Sequence, residues 1–249
     1  MPKPVANPVT GVTEKIPGSD LSAEIIYVEM NDGTHSPIAM MKPAGNGRFP
    51  LETSRQGRQL FNRGPLEYDD AIAIVKFAKT LPYVNPDRIG YLGLSHGGEM
   101  AFKIGSEYDG LRCMISVEPA AGEYLGVGRR PAGSLQIPET RMNVTQQMMD
   151  QELADTRART NMTVAMERIN RIKTPILVMG RINDNNEPQF RLAYELAKEA
   201  GKQVEWKQYE HPEHGFIFVT RNAKGVYEPD PAQRQIVADT IGYFNSCLK

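Results

Sequence analysis

Residues 87–98 read Asp-Arg-Ile-Gly-Tyr-Leu-Gly-Leu-Ser-His-Gly-Gly, which centres a Gly-x-Ser-x-Gly pattern on Ser95, directly after a β-type run and directly before a helical one. A serine on so sharp a strand-to-helix turn is held in a strained backbone conformation, and glycines two residues to either side keep side-chain atoms clear of it. The hydroxyl is thereby pushed into a cleft. The first N–H groups of the helix that starts near His96 point to the same place, so an oxyanion formed there meets oriented donors and the positive end of a helix dipole. The backbone N–H of His96 is the candidate donor.

Around this turn the chain alternates between strand and helix patterns. Strands are predicted over 88–94, 111–117, 175–179 and 203–209, and helices over 96–106, 187–200 and 232–247. Such alternation implies α/β architecture with a mostly parallel sheet covered by helices on both faces. Upstream, β-like runs over 25–30 and 36–41 flank Asn31-Asp32-Gly33-Thr34, a hairpin signal, and His35 reads as a surface residue of that hairpin. Residues 43–64 read as loop. In 67–80, Ala71, Ile74, Val75 and Ala78 keep helical spacing behind an acidic first turn. The connection from Val117 to Pro175 is too long for an ordinary α/β loop, and reads as a cap insertion over 119–173 holding one helix near 146–172. Met162, Met166 and Ile169 share a face of that helix and read as packing beneath the cap.

A chain of 249 residues with 40% apolar and 24% charged residues is long enough for a full core and is expected to form a single domain, 1–249. The formal net charge of −1, with Lys and Arg scattered, excludes an electrostatic footprint for nucleic acid or an anionic membrane. No run of about 18 apolar residues offers a membrane span. Small molecules are the expected partners, and homo-oligomer formation is left open. No cofactor motif is present. Cys113 and Cys247 read as two reduced, partly buried thiols, which leans toward the cytoplasm; a removed signal peptide, and so export, would leave no trace.

A serine hydroxyl becomes an effective nucleophile only when an imidazole takes its proton, and the imidazole needs a carboxylate to orient it and stabilise its cation. The run Ile176-Leu177-Val178-Met179 ends at Gly180, and Asp184 follows four residues later; Glu118 closes the preceding strand and is the alternative acid. The last strand leads into Glu210-His211-Pro212-Glu213-His214-Gly215-Phe216, which offers His214 and His211 as bases. Two histidines without a third ligand nearby argue against a metal site. Asp184 also suits a turn-forming role among its neighbouring asparagines.

Four segments together resemble one family. Gly64-Pro65-Leu66-Glu67-Tyr68-Asp69-Asp70, the approach Leu81-Pro82-Tyr83-Val84-Asn85-Pro86-Asp87-Arg88-Ile89-Gly90, the Ser95 turn, and Glu213-His214-Gly215-Phe216 are similar to patterns of the prolyl-oligopeptidase and dienelactone-hydrolase-like branch of the α/β-hydrolase superfamily. The likeness runs from about Ser36 to the C-terminus, the cap excepted. It implies an α/β-hydrolase fold and a serine hydrolase acting on a carboxylic ester, peptide or amide through an acyl-enzyme, without cofactor. By that pattern the acid stands four residues before a proline, Asp184 before Pro188, and the base precedes Gly-Phe, which is His214. The substrate would be a small-molecule ester or short peptide. Arg129, Arg130, Arg157 and Arg159 of the cap permit an anionic one, although solvation of a helix face accounts for them more simply. The alternative is a non-catalytic hydrolase-like binding or scaffold protein.

One departure from the pattern has consequences. The family carries an apolar strand with a His-Gly-type loop and then a further strand ahead of the Gly-Pro-Leu-Glu-Tyr-Asp-Asp segment, whereas here Arg48-Phe49-Pro50 is followed by Leu51-Glu52-Thr53-Ser54-Arg55-Gln56-Gly57-Arg58, which is polar. The third and fourth strands are therefore expected to be missing, which strips cover from the strand bearing Ser95. The second oxyanion donor goes with them, a loss of about 3 kcal/mol in transition-state stabilisation. Natural loss, replacement by a neighbouring subunit, and a stretch absent between Pro50 and Leu51 are the three accounts. The last agrees best with the cost of unpaired central strands.

Overall fold

The computed structural model describes residues 13–15, 22–30, 33, 35–42, 53–55, 65–131, 144–218, 222, 224 and 226–249. They fall into two compact units, 1–91 and 92–249.

In the first unit, β1 (Thr13–Lys15), β2 (Ser22–Glu29), β3 (His35–Lys42) and β4 (Thr53–Arg55) form an antiparallel sheet in that order. The expected hairpin is β2 and β3, in register from Ser22 opposite Lys42 to Glu29 opposite His35. Ile26, Val28 and Met30 are buried while Tyr27 and Glu29 are exposed, the period-two alternation of a one-sided sheet. Two short strands depart from expectation: β1 lies in the N-terminal tail, and β4 in a stretch read as loop. Each has only three residues, too few to show a period in sequence. Pro50, Leu51 and the rest of 43–52 and 56–64 lie outside the described residues, and with them the expectation about the third and fourth strands. Helix α1 (Pro65–Thr80) starts on a proline, whose missing N–H costs nothing at a first helical position. Its Ile72, Ala73, Ile74, Val75 and Ala78 are buried.

The second sheet, which begins where the first unit ends, runs β5 (Gly90–Leu94), β6 (Cys113–Val117), β7 (Ile176–Arg181), β8 (Val204–Tyr209), with β6, β7 and β8 parallel. Every residue of β6 and β7 is buried, as befits apolar strands covered on both faces. Cys113, Ile115, Val117, Leu177 and Met179 face helix α6 (Pro231–Cys247). On the other face, the Ser116 hydroxyl donates to the Gly98 carbonyl of α2 (His96–Glu107), and Gly180 meets the Phe190 ring of α5 (Glu187–Glu199). The α/β fold with a helix-covered parallel sheet is therefore present. Among the described residues β5 ends its sheet, and only Gly93 of its residues is buried.

Two expectations are corrected here. The segment expected as a cap carries two helices rather than one, α3 (Gln146–Arg159) and α4 (Met162–Arg171). The break arises because the Asn161 side chain caps α4 by accepting from the Val164 N–H, while Thr160 bridges to Val127. Met162 and Met166 are half-buried beside fully buried Ala165 and Ile169. The cysteines are not reduced thiols: Cys113 and Cys247 form a disulfide. The end of α6 crosses the face of β6 and brings the two Cα atoms to 6.2 Å although 134 residues separate them. Sequence spacing carries no sign of that approach.

Candidate active site

Ser95 caps α2 with φ 54° and ψ −112°, a backbone conformation rare outside glycine. The end of β6 pins it there. Its N–H donates to the Val117 carbonyl at 2.8 Å, and its carbonyl accepts from Glu99 and Ala120, each at 3.1 Å. The contact is close enough that a Cβ on Gly98 would lie 2.8 Å from the Val117 carbonyl oxygen. Gly98 stands outside the Gly-x-Ser-x-Gly pattern, and only the packing of α2 on β6 explains it. The His96 side chain lies mostly buried, with Nδ1 3.4 Å from the Glu99 carboxylate, which in turn accepts the Tyr124 N–H of the cap at 2.8 Å.

Asp184 and His214 come together from loops after β7 and β8. His214 Nδ1 lies 2.9 Å from Asp184 Oδ2. Asp184 is fully buried; its Oδ2 also meets Arg181 Nε at 2.8 Å and its Oδ1 accepts the Asn186 N–H at 2.8 Å. The carboxylate thus has a turn-forming bond and an imidazole partner at once. With Nδ1 facing carboxylates, the proton belongs on that nitrogen and Nε2 is left as the basic one. Burial disfavours the imidazolium, but the hydrogen bond and charge of Asp184, with the charge of Glu118, outweigh burial and the opposing Arg181, and the His214 pKa is raised.

Glu118 is not an uninvolved alternative. It is fully buried, adopts φ 44°, and places Oε2 3.5 Å from His214 Nδ1. Oε2 accepts the Gly215 N–H and Oε1 the Arg181 N–H at 3.1 Å. Burial foremost, then the charge of Asp184, pushes its carboxyl up against the pull of these donors and of His214. The ligand-type atoms of Glu118, Asp184 and His214 lie within 4.8 Å of one another. They do not suit a metal: Arg181 already supplies the cation at Asp184, and both oxygens of Glu118 hold backbone N–H groups.

His211, the other candidate base, has partners at both ring nitrogens. Its Nδ1 accepts the Glu213 N–H at 3.0 Å, so the proton sits on Nε2, which lies 3.0 Å from Asp230 Oδ2. Its ring stacks on Phe216. The cap arginines are largely engaged as well: Arg130 and Arg159 pair with buried Glu152, and Arg157 with Glu195 and Glu199. Two site residues escaped sequence reasoning. Arg181 is a fully buried charge at the end of an apolar strand, a position whose polarity was the available signal. Glu187, whose carboxylate accepts the Asn183 N–H at 2.7 Å and so closes the acid loop, left none.

A strained serine at a strand–helix junction, with an acid and a histidine on loops after later parallel strands, defines an α/β-hydrolase fold. The family model described as BAAT / Acyl-CoA thioester hydrolase C terminal matches residues 65–218, and the chain belongs to that family. Solved structures share the fold. An esterase from Pyrobaculum calidifontis is 16% identical with a TM-score of 0.64, the match covering 90% of this chain and 85% of that one. A thermostable esterase from Pseudomonas putida is 15% identical with a TM-score of 0.64, covering 94% and 86%. An acylaminoacyl peptidase from Pyrococcus horikoshii is 14% identical with a TM-score of 0.60, covering 93% of this chain but 42% of the peptidase. No curated protein matches. Among the described residues no helix is long and apolar enough to cross a membrane.

Proposed function

We propose that this hydrolase cleaves a carboxylic ester or thioester through an acyl-enzyme formed on Ser95. His214 Nε2 takes the Ser95 proton as the hydroxyl attacks the carbonyl, and returns it to the leaving group. Water then attacks the acyl-enzyme with His214 again as base. Asp184 orients the ring through Nδ1 and stabilises its cation. The His96 N–H, at the positive end of α2, is the oxyanion donor. The observation that carries the reading is the 2.9 Å contact between His214 and buried Asp184, in the same unit as the strained Ser95.

The family description names thioester hydrolysis, and similar structures are esterases and peptidases; one serine–histidine pair serves all three. The ion-paired arginines of the cap favour a neutral acyl group over an anionic one. The disulfide favours export over the cytoplasm, because such bonds persist in oxidising compartments. Fluorophosphonate labelling tests the core of the reading. Wild type should label, and Ser95→Ala and His214→Ala should not; a folded wild type that does not label is a binding protein instead. Short-chain nitrophenyl esters, acyl thioesters and peptide amides then rank the substrates by kcat/KM.

A further inference from the structure

Two carboxylates, not one, lie against the base nitrogen's partner. A single acid would suffice to hold His214, yet Glu118 reaches Nδ1 from the end of β6 while Asp184 reaches it from the loop after β7. Glu118 is anchored independently of Asp184. Its oxygens hold the N–H groups of Arg181 and Gly215, the first leading into the acid loop and the second adjoining the base itself. Its positive φ is a strained conformation kept where the surroundings over-determine it. The groups that face it are Arg181 and Asp184 from the β7 side and His214 from the loop after β8.

We propose that Glu118 is a second acid of the site: it positions His214 alongside Asp184, and it takes over at Nδ1 when Asp184 is removed. This rests on the serine–histidine reading above. The movement needed is small, since 3.5 Å must close to hydrogen-bond distance while the ring swings toward β6. No proton changes hands in the exchange; Nδ1–H donates to a different carboxylate. The arrangement also explains why burial has not expelled so costly a group, because a carboxyl without partners there would be far less stable.

Kinetics of Asp184→Asn decide the case. In a site with one acid, this isosteric change costs about ten-thousand-fold in kcat because the imidazole adopts the wrong tautomer. With Glu118 holding Nδ1–H, the loss should be no more than about a hundred-fold, a shortfall that measures the substitute acid. Activity of this variant should rise along a pH limb absent from wild type, as Glu118 ionises. Glu118→Gln alone should lose about ten-fold or less in kcat with little change in KM, an acid in reserve being one of two carboxylates at the ring. Asp184→Asn with Glu118→Gln should fall to the Ser95→Ala level, more than the two single losses combined. A protein in which Asp184→Asn is as inactive as His214→Ala overturns the proposal. If Glu118→Gln does not fold, Asp184→Asn alone still decides it by its residual rate and its pH limb. If Ser95→Ala or His214→Ala retains full activity, the serine–histidine reading has failed instead.

Discussion

His214 must be neutral to accept a proton, yet it lies between carboxylates that favour its cation. The two demands meet at one pKa. Since that pKa is raised, the protonated ring survives to higher pH than an ordinary imidazole would, and only above it does Nε2 act as a base. The acidic limb of kcat/KM should therefore fall above about 6.5, the ordinary histidine value. Measurement between pH 5 and 9 on a short acyl ester tests this, and a limb below the ordinary value contradicts it. Gly98 carries a second expectation at this scale. An alanine there presses its Cβ to 2.8 Å from the Val117 carbonyl and 3.0 Å from Pro119, both backbone neighbours with little room to give. Gly98→Ala should cost about 1–3 kcal/mol in stability by denaturant unfolding, as overpacking does, and should slow labelling of Ser95 because the turn itself shifts. The placement of Ser95 on a strand–helix turn, and of Asp184 and His214 on loops after later strands, was legible because the fold fixes where such turns and loops fall. Gly98 was not, since its reason is a contact with a strand some twenty residues away.

In the loop after β8, His211 sits three residues before His214 and anchors the chain around it. Its Nδ1 holds the Glu213 N–H, its Nε2 reaches Asp230, and its ring stacks on Phe216. Asp230 in turn caps α6 in a reciprocal box with Gln233. One side chain thus ties the base loop to the start of the last helix. His211→Ala leaves the Glu213 N–H without its acceptor and removes the stack, so stability should fall by about 1–3 kcal/mol. The kcat should fall as well while KM holds, because His214 loses its placement rather than the substrate its contacts. Calorimetry beside steady-state kinetics reads both, and an unchanged kcat would show that His214 is held by its carboxylates alone. Periodicity disclosed the strands and helices on either side of this loop, because burial on one or two faces leaves a repeat in the residues. It joined α3 and α4 into one helix for the same reason: the apolar spacing passes through Thr160 and Asn161, and the capping bond of Asn161 with the Thr160–Val127 bridge stops it.

At the scale of the molecule, the cross-link between Cys113 and Cys247 closes a loop that takes in the cap, β7, β8, α6 and both His214 and Asp184, but leaves Ser95 outside. The disulfide is a covalent tie from the central strand β6 to the final helix. Its effect falls mainly on the unfolded chain. For a separation of 134 residues the chain-entropy account gives about 5 kcal/mol. Cys113→Ala with Cys247→Ala should therefore lower the denaturant midpoint steeply while leaving kcat near wild type wherever the protein remains folded. Unfolding curves followed by intrinsic fluorescence, with labelling of Ser95 measured below the transition, separate the two. If kcat falls together with the midpoint, the bond positions β6, and through its end both Glu118 and the Ser95 turn, in the folded state as well. Wild type should show no reactive thiol under denaturing, non-reducing conditions, and two after reduction.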